Sequence, residues 1–235
     1  MDIPEIRGNF GLNLFVSDLS EVEVSTRRLI LLFAAVCLLF SALGVAVTFR
    51  AQLAAQAQAE YAPSYAANGD LLPPKNYREW IYLSTGIDMS YSPKAGMEMH
   101  SMFDNVFVNP AAWRSFQATG TWPDKTEMVL EVRGAESKGS INQKGHFQGT
   151  ELMGLEVHVK DEKHFPGKWA FFDFDSLDKN GTLIPQGAPC YTCHAAHAAV
   201  DTTFVQFYPT LLPIAKEKKT LSAEYLKEEA GSSAN

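Results

Sequence analysis

Residues 155–160 read Leu155-Glu156-Val157-His158-Val159-Lys160. Successive side chains of a strand point to opposite faces, so Leu155, Val157 and Val159 share one face and Glu156, His158 and Lys160 the other. Two more β-favouring runs accompany this one, Met128-Val129-Leu130-Glu131-Val132-Arg133 and Trp169-Ala170-Phe171-Phe172-Asp173-Phe174. Clusters of Gly, Asn, Asp and Pro separate them, as turns between strands require. Together they predict an antiparallel sheet with one packed face and one wet face.

Working outward, Leu71-Leu72-Pro73-Pro74 marks the entrance of the folded part, and Tyr77-Arg78-Glu79-Trp80 reads as a short helical turn. Ile81 to Thr85 is a strand ended by Gly86, and Asn105 to Asn109 alternates like another. Pro110 suits the first turn of a helix carried by Ala111 to Ala118 and stopped at Gly120. After a Pro185-Gln186-Gly187-Ala188-Pro189 turn, Ala195 to Val200 is helical and Thr203 to Leu212 is an apolar segment able to close over a cofactor. From Lys216 the chain is charged and then Gly/Ser-rich, the composition of a solvated tail. The fold class is α+β, a mainly antiparallel β-sheet with a few helices. The expected boundaries are a cytoplasmic segment at 1–28, a transmembrane helix or signal peptide at 29–49, a linker at 50–70, a folded domain at 71–215 and a flexible tail at 216–235.

Haem is expected because of Cys190-Tyr191-Thr192-Cys193-His194. In C-x-x-C-H two thiols can add to the two vinyl groups of a haem, and the adjacent histidine is placed to ligate iron. Cys190 and Cys193 are then the thioether anchors of one covalently attached haem c per chain, and His194 is the metal ligand. A structural zinc site wants four protein ligands, and the remaining cysteine, Cys37, lies far upstream in an apolar run. A redox C-x-x-C opens a helix in a thioredoxin-like pattern and has no need of the histidine.

Leu29 to Phe49 carries no charge, and a helix of those 21 residues spans ~31 Å at ~1.5 Å per residue. Arg27 and Arg28 precede it and only Arg50 follows, so the positive-inside bias sends everything after Arg50 out of the cytoplasm. The expected location is the periplasm. Two forms of the signal fit: a retained inner-membrane anchor, or a signal peptide cut at Ala55-Gln56-Ala57 or Ala57-Gln58-Ala59 to leave a soluble protein. Apart from this segment no membrane contact is expected. The net charge of −7 argues against nucleic acid, which needs clustered Lys and Arg.

Tyr77-Arg78-Glu79-Trp80, Gly154 to Val157, Val159-Lys160-Asp161, Phe165-Pro166-Gly167-Lys168-Trp169-Ala170-Phe171-Phe172, the late C-x-x-C-H and Asp201-Thr202-Thr203-Phe204-Val205-Gln206-Phe207-Tyr208-Pro209 together resemble the cytochrome P-460 family. The resemblance runs over about residues 71 to 213. It implies an antiparallel sheet with helices, a single c-type haem, and a periplasmic homodimer that exchanges electrons with a redox partner cytochrome. The family includes hydroxylamine-oxidising cytochromes P-460 and nitric-oxide-binding cytochromes c′-beta, so the implied small-molecule ligand is hydroxylamine or NO at an open iron face. The oxidising members carry a lysine bonded to the porphyrin edge. At the matching position this chain has Leu130, and Lys125, Lys138 and Lys144 are the nearest stand-ins.

The resemblance also implies that Phe103, Asp104 and Phe107 belong to the distal pocket, with Asp104 able to accept protons as the catalytic base of an oxidising enzyme. A competing sixth ligand lies in Met97-Glu98-Met99-His100-Ser101-Met102, which would close the iron and make an electron carrier. Three functions thus stand on the sequence: a small-ligand binder, an oxidoreductase acting on hydroxylamine, and a six-coordinate electron-transfer cytochrome.

Overall fold

The computed structural model describes residues 29, 31–34, 37–41, 43–52, 61–89 and 101–232. The chain divides into two units, Met1–Ala55 and Gln56–Asn235. In the first, helix α1 (Leu31–Gln52) is long and apolar enough by length and composition to cross a membrane, and its described side chains are exposed.

The second unit is built on a six-stranded meander, β1 (Ile81–Ile87), β2 (Met102–Val108), β3 (Glu127–Glu136), β4 (Phe147–Lys160), β5 (Trp169–Phe174) and β6 (Thr182–Leu183). Sheet order follows chain order and every pairing is antiparallel. Register pairs Asp104 with Val132, Leu130 with Glu156, and His158 with Phe171. A bulge at Leu83 lets Tyr82 pair with Phe107 and Ser84 with Val106. Helix α2 (Pro110–Thr119) follows β2, with proline in its first turn, where the missing N–H costs nothing. It ends at Gly120, whose φ of 76° a side chain would strain and whose Cβ would meet Lys218 at 2.7 Å.

Both faces of the sheet are covered. On one, Val108, Met128 and Trp169 pack against Ala112 and Phe116 of α2 and against Trp122, Val205, Tyr208, Leu211, Ala215 and Tyr225. Phe116 is fully buried with its ring 4.3 Å from Trp122, and burying one such side chain contributes about 1.5–3 kcal/mol. On the far face, Phe107, Val129, Leu155, Val157, Val159, Ala170 and Phe172 meet Leu71, Tyr77, Trp80, Tyr61 and Tyr65. The expected wet face is therefore only partly wet, with Glu156 exposed and His158 half-buried on it. The polar side of β4 looks into a cavity roofed by the later helices, and Lys160 on it is only 8% exposed.

Two boundaries move for the same reason. Tyr61 and Tyr65 pack on the far-face core, so the folded part takes in residues assigned to the linker. The expected tail at 216–235 instead holds the end of α4 (Leu212–Lys218) and α5 (Ala223–Ser232). Tyr225 of α5 is buried, and the Ser222 hydroxyl donates to the Ala198 carbonyl at 2.7 Å. Residues 90–100, with Met97, Met99 and His100, lie outside the described residues.

Candidate haem-attachment site

Cys190, Cys193 and His194 sit on helix α3 (Pro189–His197), which begins one residue before the motif rather than after it. The helix explains the spacing. Positions i, i+3 and i+4 share one face, so two thiols and one imidazole project from the same side of a single turn. Both cysteines are free thiols and partly exposed. Tyr191 ties this helix to the sheet: its hydroxyl accepts the Phe171 N–H at 3.1 Å and donates to the Ile184 carbonyl at 3.1 Å.

His194 is oriented by its own backbone neighbourhood. Nδ1 lies 2.7 Å from the Thr202 carbonyl. A carbonyl only accepts, so the proton is on Nδ1 and Nε2 keeps a free lone pair. Burial lowers the His194 pKa and the Thr202 bond offsets part of that, which favours the neutral ring a metal needs. Phe171 and Phe204 hold the ring at centroid distances of 4.6 and 4.3 Å.

These side chains form one wall of a cavity of about 480 Å³, within the ~300–1,000 Å³ usual for cofactor sites. Phe204, Phe207 and Tyr208 extend that wall, and the sheet supplies Ser84, Gly86, Met102, Asp104, Val106, Met128, Leu130, Val132, Glu156 and His158. The cavity thus brings Asp104 and Leu130 together with Cys190, Cys193 and His194. Phe103 and Phe107 do not join them. They alternate with Met102, Asp104 and Val106 along β2 and so face the other way, and Phe107 packs on Tyr77 and Tyr82 at 5.7 and 5.8 Å. The period of two that puts Asp104 in the cavity excludes both phenylalanines from it.

Two cavity residues are ones that the sequence pattern assigns to the wet face. Glu156 pairs across the strands with Leu130, and its carboxyl is raised above the usual range by burial first, then by Asp173 and Asp104. Asp104 is raised by burial and by Asp88. His158 stacks on Phe171 at 4.0 Å with its ring 5.2 Å from that of His194, and its buried Nε2 has no partner. Burial, then His194, hold it well below its ordinary pKa, hence neutral. The signal for both was the alternation of β4, once its polar face is read as cavity rather than solvent.

Of the candidate cross-linking lysines, Lys125 is bound to Asp161 at 2.5 Å on another part of the sheet. Lys138 and Lys144 lie exposed in the β3–β4 connection. Among the described residues no lysine lines the cavity.

Two thiols and an imidazole on one helix face, opening on a mostly apolar cavity, define a c-type cytochrome. The model of the Cytochrome P460 family matches residues 74–205, more than half of the chain, and the protein belongs to that family. No curated protein matches the chain.

Proposed function

We propose that the protein is a periplasmic mono-haem cytochrome whose single haem c is bonded to Cys190 and Cys193 and ligated by His194. Its distal side is left open to a small nitrogen compound, hydroxylamine or NO. The haem supplies a redox-active iron with a free coordination position. The chain's own part is to hold His194 Nε2 toward the cavity, keep bulk water out with Phe171, Phe204 and Phe207, and present carboxylates for proton transfer.

The observation that carries this reading is the pair Asp104 and Glu156 on the cavity wall, two carboxyls with burial-raised proton affinity. A raised carboxylate is a stronger base, and Oε of Glu156 or Oδ of Asp104 would take the protons that hydroxylamine loses as it is oxidised. Binding of NO needs no such base. The family resemblance adds a redox partner cytochrome and a homodimer, and α1 would serve as signal or anchor.

A second reading is favoured by Met102 and Met89, which also line the cavity. Either thioether on iron would give a closed electron carrier. Absorption and spin state decide. The open reading expects a high-spin ferric spectrum, rapid NO binding and turnover of hydroxylamine with an electron acceptor; a low-spin ferric spectrum that ignores NO would replace it with the carrier.

A further inference from the structure

The carbonyl that fixes His194 belongs to a tight turn, Val200-Asp201-Thr202-Thr203, closed by Thr203 N–H to Val200 O at 2.8 Å and the reverse bond at 3.3 Å. Both central residues are left-handed, Asp201 at φ 48° and Thr202 at φ 61°, the backbone of a two-residue hairpin turn that normally asks for Asn or Gly. Threonine is a poor choice for that conformation, so the turn persists because something outside it holds it.

The holders are Lys160 and Trp122. Lys160, at the end of β4, sends Nζ to the Trp122 carbonyl at 2.6 Å and to Asp201 Oδ2 at 3.4 Å, and lies 5.7 Å above the Trp169 ring. Asp201 Oδ2 also accepts the Trp122 N–H at 3.2 Å. The Trp122 indole donates to Thr203 Oγ1 at 2.8 Å, and that hydroxyl donates to Val200 O at 2.6 Å. Lys160, Trp122 and Asp201 lie outside the cavity lining, and of the residues in this network only Thr203 also faces the cavity.

We infer that Lys160 and Asp201 are positioning residues for the axial histidine: their ion pair, buried at the Lys160 end and open to solvent at Asp201, clamps the Asp201–Thr202 turn so that the Thr202 carbonyl holds the His194 Nδ1–H. A histidine that donates to a carbonyl is a stronger donor through its other nitrogen. The clamp therefore sets how firmly His194 binds iron and how strongly it favours the ferric state. This rests on the haem reading above.

The test uses the full chain, exported from a host that attaches haem to C-x-x-C-H motifs. Lys160→Met and Asp201→Gly remove the ion pair, and glycine at 201 keeps the left-handed turn without strain. Lys160→Arg and Asp201→Asn retain a donor and an acceptor. A haem stain on a denaturing gel comes first. A wild type without covalent haem overturns the haem reading itself. With haem present, the ferrous iron–histidine stretching band in resonance Raman shifts to lower frequency in K160M and D201G, and the midpoint potential rises in both. K160R and D201N stay with the wild type. If K160M does not fold, D201G carries the measurement. Band and potential unchanged in D201G overturn the inference, as does a K160R shift as large as that of K160M.

Discussion

Two glutamates on opposite faces of the same sheet show how one residue type is put to two uses. Glu131 of β3, on the far face, is completely buried, yet Tyr77 Oη donates to it at 2.5 Å, Arg78 Nη1 at 3.0 Å and Arg133 Nε at 2.9 Å. Burial alone would raise its pKa; the bonds from Arg133 and Tyr77 reverse that and hold it below the usual range. Glu156 of β4, on the cavity face, is reached by no hydrogen bond or ion pair among the described residues, and its pKa goes up. The far face spends its polar groups on each other, and the cavity face leaves them available to a ligand.

The largest effect that sharpens this contrast is on the cofactor. Replacing Cys190 and Cys193 together with serine abolishes covalent haem, read as loss of the haem stain after denaturation, while circular dichroism keeps the strand signature. Next, on the hydroxylamine-oxidising reading proposed above, is Glu156→Gln, which lowers turnover by about 10²-fold, the scale of a lost general base, and removes the rise of activity with pH as that carboxyl ionises. Its stability changes by less than about 0.5 kcal/mol. An E156Q protein with undiminished turnover would break the contrast.

Glu131→Ala behaves the opposite way. It strands Arg133 and the Tyr77 hydroxyl and costs about 3–5 kcal/mol in chemical denaturation, with ligand binding per folded molecule retained. A smaller effect comes from Glu127, 3% exposed in β3, whose carboxyl burial pushes up to about 8. It is neutral in the fold and ionised in the unfolded chain at pH 7, so the unfolded state binds fewer protons and stability falls as pH rises to about 8. Glu127→Gln removes up to about 1.4 kcal/mol per pH unit of that slope, measured by denaturant midpoints from pH 5 to 8.

The sequence carried the α+β class, the strand positions and the haem motif because each rests on local pattern: alternation in β4, proline and Gly120 around α2, the spacing of Cys190, Cys193 and His194. What it obscured is what each face looks at. Alternation says that Glu156 and His158 oppose Val157, and nothing about whether water or a cavity lies beyond them. The family resemblance points Phe103 and Phe107 to the pocket together with Asp104, although Asp104 has the opposite parity on β2. The C-terminal helix escaped because its buried anchor, Tyr225, stands alone among charged residues.

Because each strand of the meander pairs with its neighbour in the chain, the sheet has low contact order for a β-rich fold. Helix α3 and the clamp turn follow all six strands in the sequence. The strands that carry Asp104 and Glu156 are thus encoded ahead of the cysteines that face them across the cavity. Pulsed hydrogen exchange during refolding of the haem-free chain is expected to protect β2 to β4 ahead of α3, leaving Cys190 and Cys193 accessible to the attachment machinery after the binding wall has formed.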